Sequence, residues 1–163
     1  MGSDMSVHFS SELTAWETPP EVFGPLNDEF KFGLDAAASP KNAKCARYLT
    51  EGALAKDWAA LSKGRAVWLN PPYGRGLSDW VAKARQEGER VVVVALLPAR
   101  TDTAFFHTHV ARGEVRLLRG RVKFLIDGAV TDAAPFPSLV AVWGPHVVPS
   151  IRCWEVSKPW ASR

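Results

Sequence analysis

At 163 residues, with 47% apolar and 23% charged side chains, the chain has the size and composition of one globular domain, which excludes fibrous, disordered and multidomain designs. The longest uncharged apolar run, residues 91–99, is about half as long as a membrane helix requires, and no basic segment followed by an apolar one opens the sequence, so a cytoplasmic enzyme without a membrane partner is expected. A formal charge of +3 and a pI near 9.0 permit a polyanionic partner without demonstrating one.

Residues 1–11 read as a frayed terminus or expression remnant, 12–157 as a single domain and 158–163 as a tail. Thr18-Pro19-Pro20 stops any helix, so residues 12–20 form an extended arm leading to a short helix over 21–27. Phe30-Lys31-Phe32-Gly33-Leu34-Asp35 alternates and then meets Ala36-Ala37-Ala38-Ser39-Pro40, which places Asp35 at the carboxyl end of a short strand. Residues 42–50 and 53–61 are expected to be helical in part. Ala66-Val67-Trp68-Leu69 is an apolar strand halted at Asn70 by Pro71-Pro72, since a prolyl pair cannot continue a ladder. Leu77, Trp80, Val81 and Ala84 follow at helical spacing, Gly88 closes that helix, and residues 91–97 are a second fully apolar strand.

A strand, helix, buried strand unit of this kind belongs to a parallel sheet covered by helices, so the fold class is α/β. Residues 103–112 form a further helix, and strands over 115–125 and 138–143 make an antiparallel hairpin at one edge. Cys45 and Cys153 lack the paired spacing of a zinc or dithiol site and are expected as buried or half-buried thiols. His107 and His109, two apart on a helix, point in different directions, so no metal site is expected.

Ligands of open α/β sheets bind outside the carboxyl ends of the strands, which is where Asn70-Pro71-Pro72-Tyr73 projects. An exocyclic aromatic amine is a poor nucleophile because its lone pair is delocalised into the ring. Oxygens that accept its hydrogens return electron density to the nitrogen. The Asn70 side-chain carbonyl and the Pro71 main-chain carbonyl are a suitable pair, and Tyr73 can stack on the base. A base inside a duplex cannot reach such a pocket, so it must be flipped out, losing a few kcal/mol of stacking. Arg100, Arg119, Arg121 and Lys123 are candidates for gripping phosphates, although charged strand edges also serve simply to prevent aggregation.

The chain resembles the small DNA N-6-adenine methyltransferases of phages and prophages. The resemblance runs from about Trp16 to Trp143. It rests on Trp16-Glu17-Thr18-Pro19 with Phe23, on Phe32-Gly33-Leu34-Asp35-Ala36-Ala37, on Asn42-Ala43-Lys44-Cys45-Ala46-Arg47-Tyr48 and on Trp68-Leu69-Asn70-Pro71-Pro72-Tyr73-Gly74. It continues through Leu97-Pro98-Ala99-Arg100-Thr101-Asp102-Thr103 with Phe106-His107, then Gly120-Arg121-Val122-Lys123-Phe124 and Ala134-Pro135-Phe136-Pro137-Ser138. The resemblance implies a compact Rossmann-like methyltransferase that moves a methyl group from S-adenosylmethionine to adenine N6 of DNA. It implies Asn70 to Tyr73 as the catalytic motif, and neither a metal nor a covalent enzyme intermediate.

The methyl donor is expected against Asp35, Ala36 and Ala37, with Thr18 and Pro19 matching the donor-pocket arm of related amino-methyltransferases, and Asp57, an acid just before the catalytic strand, is a further acceptor for the donor's adenine amine. One departure stands out. No Gly-x-Gly loop is present, and only about thirty residues separate Asp35 from the catalytic strand, so the N-terminal, donor-binding half is abbreviated. Two other readings fit the motif: an amino-methyltransferase acting on RNA adenine, cytosine N4 or protein glutamine, and a catalytically silent DNA-binding homologue. Residues 126–137 are the one sizeable insertion available for base readout.

Overall fold

The computed structural model of the chain describes residues 16–156. The terminus read at 1–11 and the tail at 158–163 lie outside the described residues. In chain order, helix α1 (Pro20–Phe30) leads to β1 (Phe32–Asp35). A 3-10 turn (Ala53–Ala55) and the one-turn α2 (Trp58–Leu61) precede β2 (Ala66–Leu69), and α3 (Leu77–Glu87) connects it to β3 (Val93–Pro98). Next come α4 (Ala104–Thr108), a 3-10 turn (Val110–Arg112), β4 (Glu114–Leu118), β5 (Leu125–Ile126), β6 (Ala129–Val130), β7 (Ser138–Trp143) and β8 (Ser150–Trp154).

Six strands form one sheet in the order β1-β2-β3-β7-β4-β8, and β5 and β6 form a separate small hairpin. β7 runs antiparallel to both its neighbours, while the pairs β1-β2, β2-β3 and β4-β8 are parallel. This is the expected α/β class, a Rossmann-like mixed sheet that is mostly parallel. Position in the sheet follows from side-chain character. β2, β3 and β7 are buried at every residue, as strands apolar on both faces must be. In α3, Leu77, Val81 and Ala84 return at helical spacing and are buried, so the connection between β2 and β3 is packed down along its length.

Several boundaries differ from the sequence reading. α1 begins at Pro20, whose fixed φ and missing N–H suit a first helical turn, and it runs on to Phe30. The strand expected over 115–125 ends at Leu118, because Gly120 takes φ 80° and turns the chain out of the sheet. β4 and β7 pair antiparallel as expected, yet they do not form the edge: β8, unanticipated from sequence, pairs outside β4. Four of the five β8 residues are exposed, so its sequence carries no buried face to betray it. Residues 42–50 are turns and bends, not helix, because their backbone groups are committed to β1. The helix expected over 103–112 is α4 followed by a 3-10 turn. Cys45 is half-buried as expected, whereas Cys153, on the edge strand, is exposed. Asp127-Gly128 join β5 to β6 with both φ positive, the backbone of a tight hairpin turn. Among the described residues no helix is long and apolar enough to cross a membrane.

α1 matters most for the site, because the arm at residues 16–19 leads into it. Val22 and Leu26 face the core, and the Phe23 ring meets Phe32 and Trp68 at centroid distances of 5.6 and 5.3 Å. At the other end of α1, Glu29 takes a bidentate pair of hydrogen bonds from Arg116 of β4, both 2.7 Å. Arg116 is 2% exposed, also donates to Glu114, and lies over the Phe30 ring at 5.3 Å. The latch therefore fixes the helix across the sheet. Arg116→Met should cost about 3 kcal/mol of unfolding free energy in urea denaturation, because two carboxylates lose their buried partner; a loss below about 1 kcal/mol would show that the latch is dispensable.

Candidate active site

Asn70 stands one residue beyond β2, where Pro71 stops the ladder, and Asp35 ends the neighbouring parallel strand β1. The pairing Asp35↔Trp68 and the bond from the Ala36 amide to the Trp68 carbonyl, 2.9 Å, bring the two carboxyl ends together. Both residues open onto one narrow cleft, lined also by Trp16, Glu17, Thr18, Ala37, Asn42, Lys44 and Trp68. Thr18, Asp35, Ala37 and Asn70, chosen from sequence, are thus neighbours. Ala36 is fully buried beside them, and Pro19 lies on the far side of the arm. Glu17, Asn42, Lys44 and Trp68 carried no sequence signal beyond their place in blocks of the family resemblance.

Asp35 is 2% exposed. One carboxylate oxygen accepts from the Ala37 amide at 3.2 Å and the other from the Lys44 amide at 3.0 Å. Burial raises its pKa from 3.8 to about 6, against the opposing pull of those two amides and of the Lys44 charge. Each oxygen keeps a further acceptor site free. Beside it the Thr18 hydroxyl is buried without a hydrogen-bond partner. Acceptors for a ligand rich in hydroxyl and ammonium donors converge here, but the cleft in this form encloses only about 10 Å³, so it must widen to admit one.

Asn70 is half-buried and held from two sides. Its amide donates to the Trp16 carbonyl at 3.4 Å, and its Oδ1 lies 3.2 Å from the Tyr73 hydroxyl. That hydroxyl also lies 3.0 Å from the Leu96 carbonyl, and it has one proton to give. When it donates to Leu96, Asn70 Oδ1 keeps its lone pairs for another donor. Burial pushes the Tyr73 hydroxyl far above its ordinary range, so it stays neutral. The expectation that Tyr73 presents a stacking face meets a different arrangement: the ring is 6% exposed and wedged edge-on against Phe124 and Phe136, at 6.4 and 5.5 Å. Trp16, stacked on Phe124 at 5.2 Å and half-buried at the rim, lines the cleft beside Asn70 together with the fully buried Trp68.

Asp57 does not belong to this site. It caps α2 through the Ala60 amide, 2.9 Å, and pairs bidentately with Arg90 at 2.9 and 3.2 Å, in the turn that leads into β3. That is the amino end of the strands, opposite Asn70, and the capping role explains an acid at this position.

Arg119, Arg121 and Lys123 share a separate cleft of about 460 Å³ with Pro19, Glu21 and Val22 at the start of α1. Arg119 pairs with Glu155 at 2.7 Å, and Arg121 reaches the Ala134 carbonyl at 3.4 Å. The arm at 16–19 separates this cationic cleft from the Asp35 cleft, contributing residues to both. Arg100 stands apart from that group, exposed beyond the end of β3. No cluster of histidine, cysteine and acidic residues able to hold a metal is present among the described residues.

Comparison with known proteins identifies the family. The family model described as DNA N-6-adenine-methyltransferase (Dam) matches residues 6–159. A protein of Haemophilus phage HP1 (strain HP1c1) described as a DNA N-6-adenine-methyltransferase is 30% identical over 145 residues, 83% of this chain and 81% of the relative. A protein of Escherichia phage T1 with the same description is 39% identical over 95 residues, 56% of this chain but only 38% of the relative's own length.

The burial of Asp35 has a sign that can be measured. Because its folded pKa of about 6 exceeds the unfolded 3.8, the native state binds more protons between these values. The contribution of Asp35 to stability is therefore largest below pH 4 and is lost as the pH rises through 6, by up to about 3 kcal/mol. Urea denaturation of the wild type and of Asp35→Ala at pH 4 and pH 7 should show the stability difference moving in favour of the variant at the higher pH. Curves that run parallel across this window would contradict the burial argument.

Proposed function

The chain belongs to the DNA N-6-adenine-methyltransferase (Dam) family, whose members use S-adenosylmethionine, and from that premise we propose that methyl transfer to N6 of a flipped-out adenine takes place in the cleft between Asp35 and Asn70. The observation that carries this reading is the adjacency of two different chemistries at the ends of two paired strands: a buried carboxylate at Asp35 and a carboxamide at Asn70.

On the acceptor side, Asn70 Oδ1 and the Pro71 carbonyl take the two N6 hydrogens and raise the nucleophilicity of the nitrogen. The Asn70 amide is held by the Trp16 carbonyl, which fixes which way the carboxamide faces. Tyr73 acts from behind as a positioning residue, its hydroxyl spanning Asn70 and Leu96. Trp16, at the rim, takes over the stacking contact expected of Tyr73. On the donor side, Asp35 would accept hydrogen bonds from the hydroxyls or ammonium of S-adenosylmethionine and Thr18 would offer its unpartnered hydroxyl, once the cleft, about 10 Å³ as it stands, has widened to admit the donor. The donor supplies an activated methyl group. The protein supplies alignment, and the proton lost from N6 passes to solvent.

Arg119, Arg121 and Lys123 receive the DNA backbone in the larger cleft, across the arm from the reacting base, and Arg100 adds a contact near Tyr73. The two phage relatives are consistent with a reaction in the cytoplasm of a bacterial host.

Labelled methyl transfer to unmethylated DNA, with the product nucleoside identified by mass spectrometry, tests this reading. N6-methyladenine should be the sole product, and Asn70→Ala should lower the rate on the order of a hundred- to a thousand-fold while donor binding survives. Transfer that persists in Asn70→Ala, or a product methylated elsewhere, sinks the assignment. Replacing Arg119, Arg121 and Lys123 by Ala should weaken DNA binding and flatten its dependence on salt, with donor affinity unchanged in calorimetric titration; an unaltered salt slope removes these residues from the DNA contact.

A further inference from the structure

We propose that the cleft of about 460 Å³ across the arm is a nucleobase pocket, which takes the base next to the target adenine while the cations at its rim hold the phosphates. The inference rests on the DNA-contact reading above and deepens it: one neighbouring nucleotide leaves the stack together with the adenine.

The cleft opens where β4 ends. Gly120, at φ 80°, turns the chain out of the sheet, and residues 121–123 then face the first turn of α1 across a hollow. Contact with a phosphate backbone needs exposed charge and no enclosed volume. A volume of about 460 Å³ is that of a small-ligand site, which spans roughly 300–1,000 Å³. The walls are mixed in kind. Val22, Leu118, Val122 and Val156 give apolar surface, Arg119, Arg121 and Lys123 are cationic, and Glu21 and Glu155 are acidic.

Two carboxylates oppose a site built for phosphates alone. They suit a nucleobase, whose faces are apolar and whose edge carries N–H donors as well as acceptors. Arg119 is paired with Glu155 at 2.7 Å, which positions its planar guanidinium at the cleft, and such planes stack on unpaired bases. Glu21, exposed on the first turn of α1, makes no ion pair within 4.0 Å among the described residues, so its carboxylate is available to an exocyclic amine.

The identity of the base follows from the arm. Thr18 lines the narrow cleft and the next residue, Pro19, lines the larger one. Pro19 is extended, with φ −67° and ψ 150°, so the wall between the clefts is a single extended chain. With the target adenine on one side of that wall, the two nucleotides bonded to it are the ones tethered closely enough to cross one chain's thickness.

2-Aminopurine, which brightens when it leaves a base stack, tests the pocket in a duplex built on a sequence that the full chain methylates. Placed at the target and in turn at each flanking position, it should brighten several-fold on binding at the target and at one flank. Val156→Trp, which fills the cleft from its half-buried rim, should return that flank to the level of the free duplex, with the target still bright and the salt dependence of binding unchanged. Glu21→Trp, at an exposed position, takes its place if the Val156 variant does not melt cooperatively. Flanks that stay dark while the target brightens, or a flank that stays bright with the cleft filled, overturn the nucleobase pocket and leave the flipped-adenine reading standing. A target that stays dark overturns both.

Discussion

Parallel pairing of β1 with β2 is the constraint on which the rest depends. Parallel strands deliver their carboxyl ends to the same edge of the sheet, so the residues that follow them are neighbours however far apart they are in sequence. Here Asp35 pairs with Trp68, and the residue reached two positions later is Asn70. Proline at the next position ends the ladder there and leaves the Pro71 carbonyl outside the sheet's hydrogen bonding. Everything else in the site is an arrangement to hold these two ends open on one side and covered on the others. The arm at 16–19 covers them from above, Glu17 pairing with Leu125 in both directions at 2.8 and 3.0 Å, and α1, latched by Glu29 to Arg116, anchors the arm.

Asp35 illustrates how such a site opposes stability. A carboxylate buried with two amide partners and a distant lysine is ionised against its environment at neutral pH, and burial outweighs its helpers. The unpartnered Thr18 hydroxyl is a second polar group left incomplete in the same cleft. Both are understandable if the missing partners arrive with the ligand, because a cleft satisfied by its own groups would have nothing left to bind with. The acceptor half differs in kind. Asn70 and Tyr73 are neutral, with the Tyr73 hydroxyl set between the Asn70 and Leu96 oxygens and its ring packed into an aromatic cluster, as orientation without charge demands.

The sequence announced what depends on short-range pattern. The apolar run 66–69 stopped by two prolines, and the spacing of Leu77, Val81 and Ala84, identify the central strand, its helix and the parallel crossover without help from structure. The arm residue Thr18 and Asp35 were legible through family resemblance. What could not be read depends on long-range partners. β8 is exposed on four of five residues and exists because β4 offers an edge. Residues 42–50 looked partly helical because nothing local says that their amides and carbonyls belong to β1. Asp57 looked like a donor ligand because it is an acid just before the catalytic strand, whereas the fold carries it to the other end of the sheet, where Arg90 and the start of α2 use it. Tyr73 follows the motif as a stacking ring should, but the Phe124 and Phe136 rings that enclose it lie about fifty and sixty residues downstream.

The central claim is one of place: the methyl donor occupies the narrow cleft at the ends of β1 and β2, not the larger cationic cleft across the arm. Photolabelling of the chain with methyl-labelled S-adenosylmethionine, followed by peptide mapping, decides between them directly. The account predicts label within residues 16–18, 35–44 or 70–73, competed away by unlabelled donor. Label confined to residues 118–123 would contradict it and would move the donor to the surface assigned here to DNA.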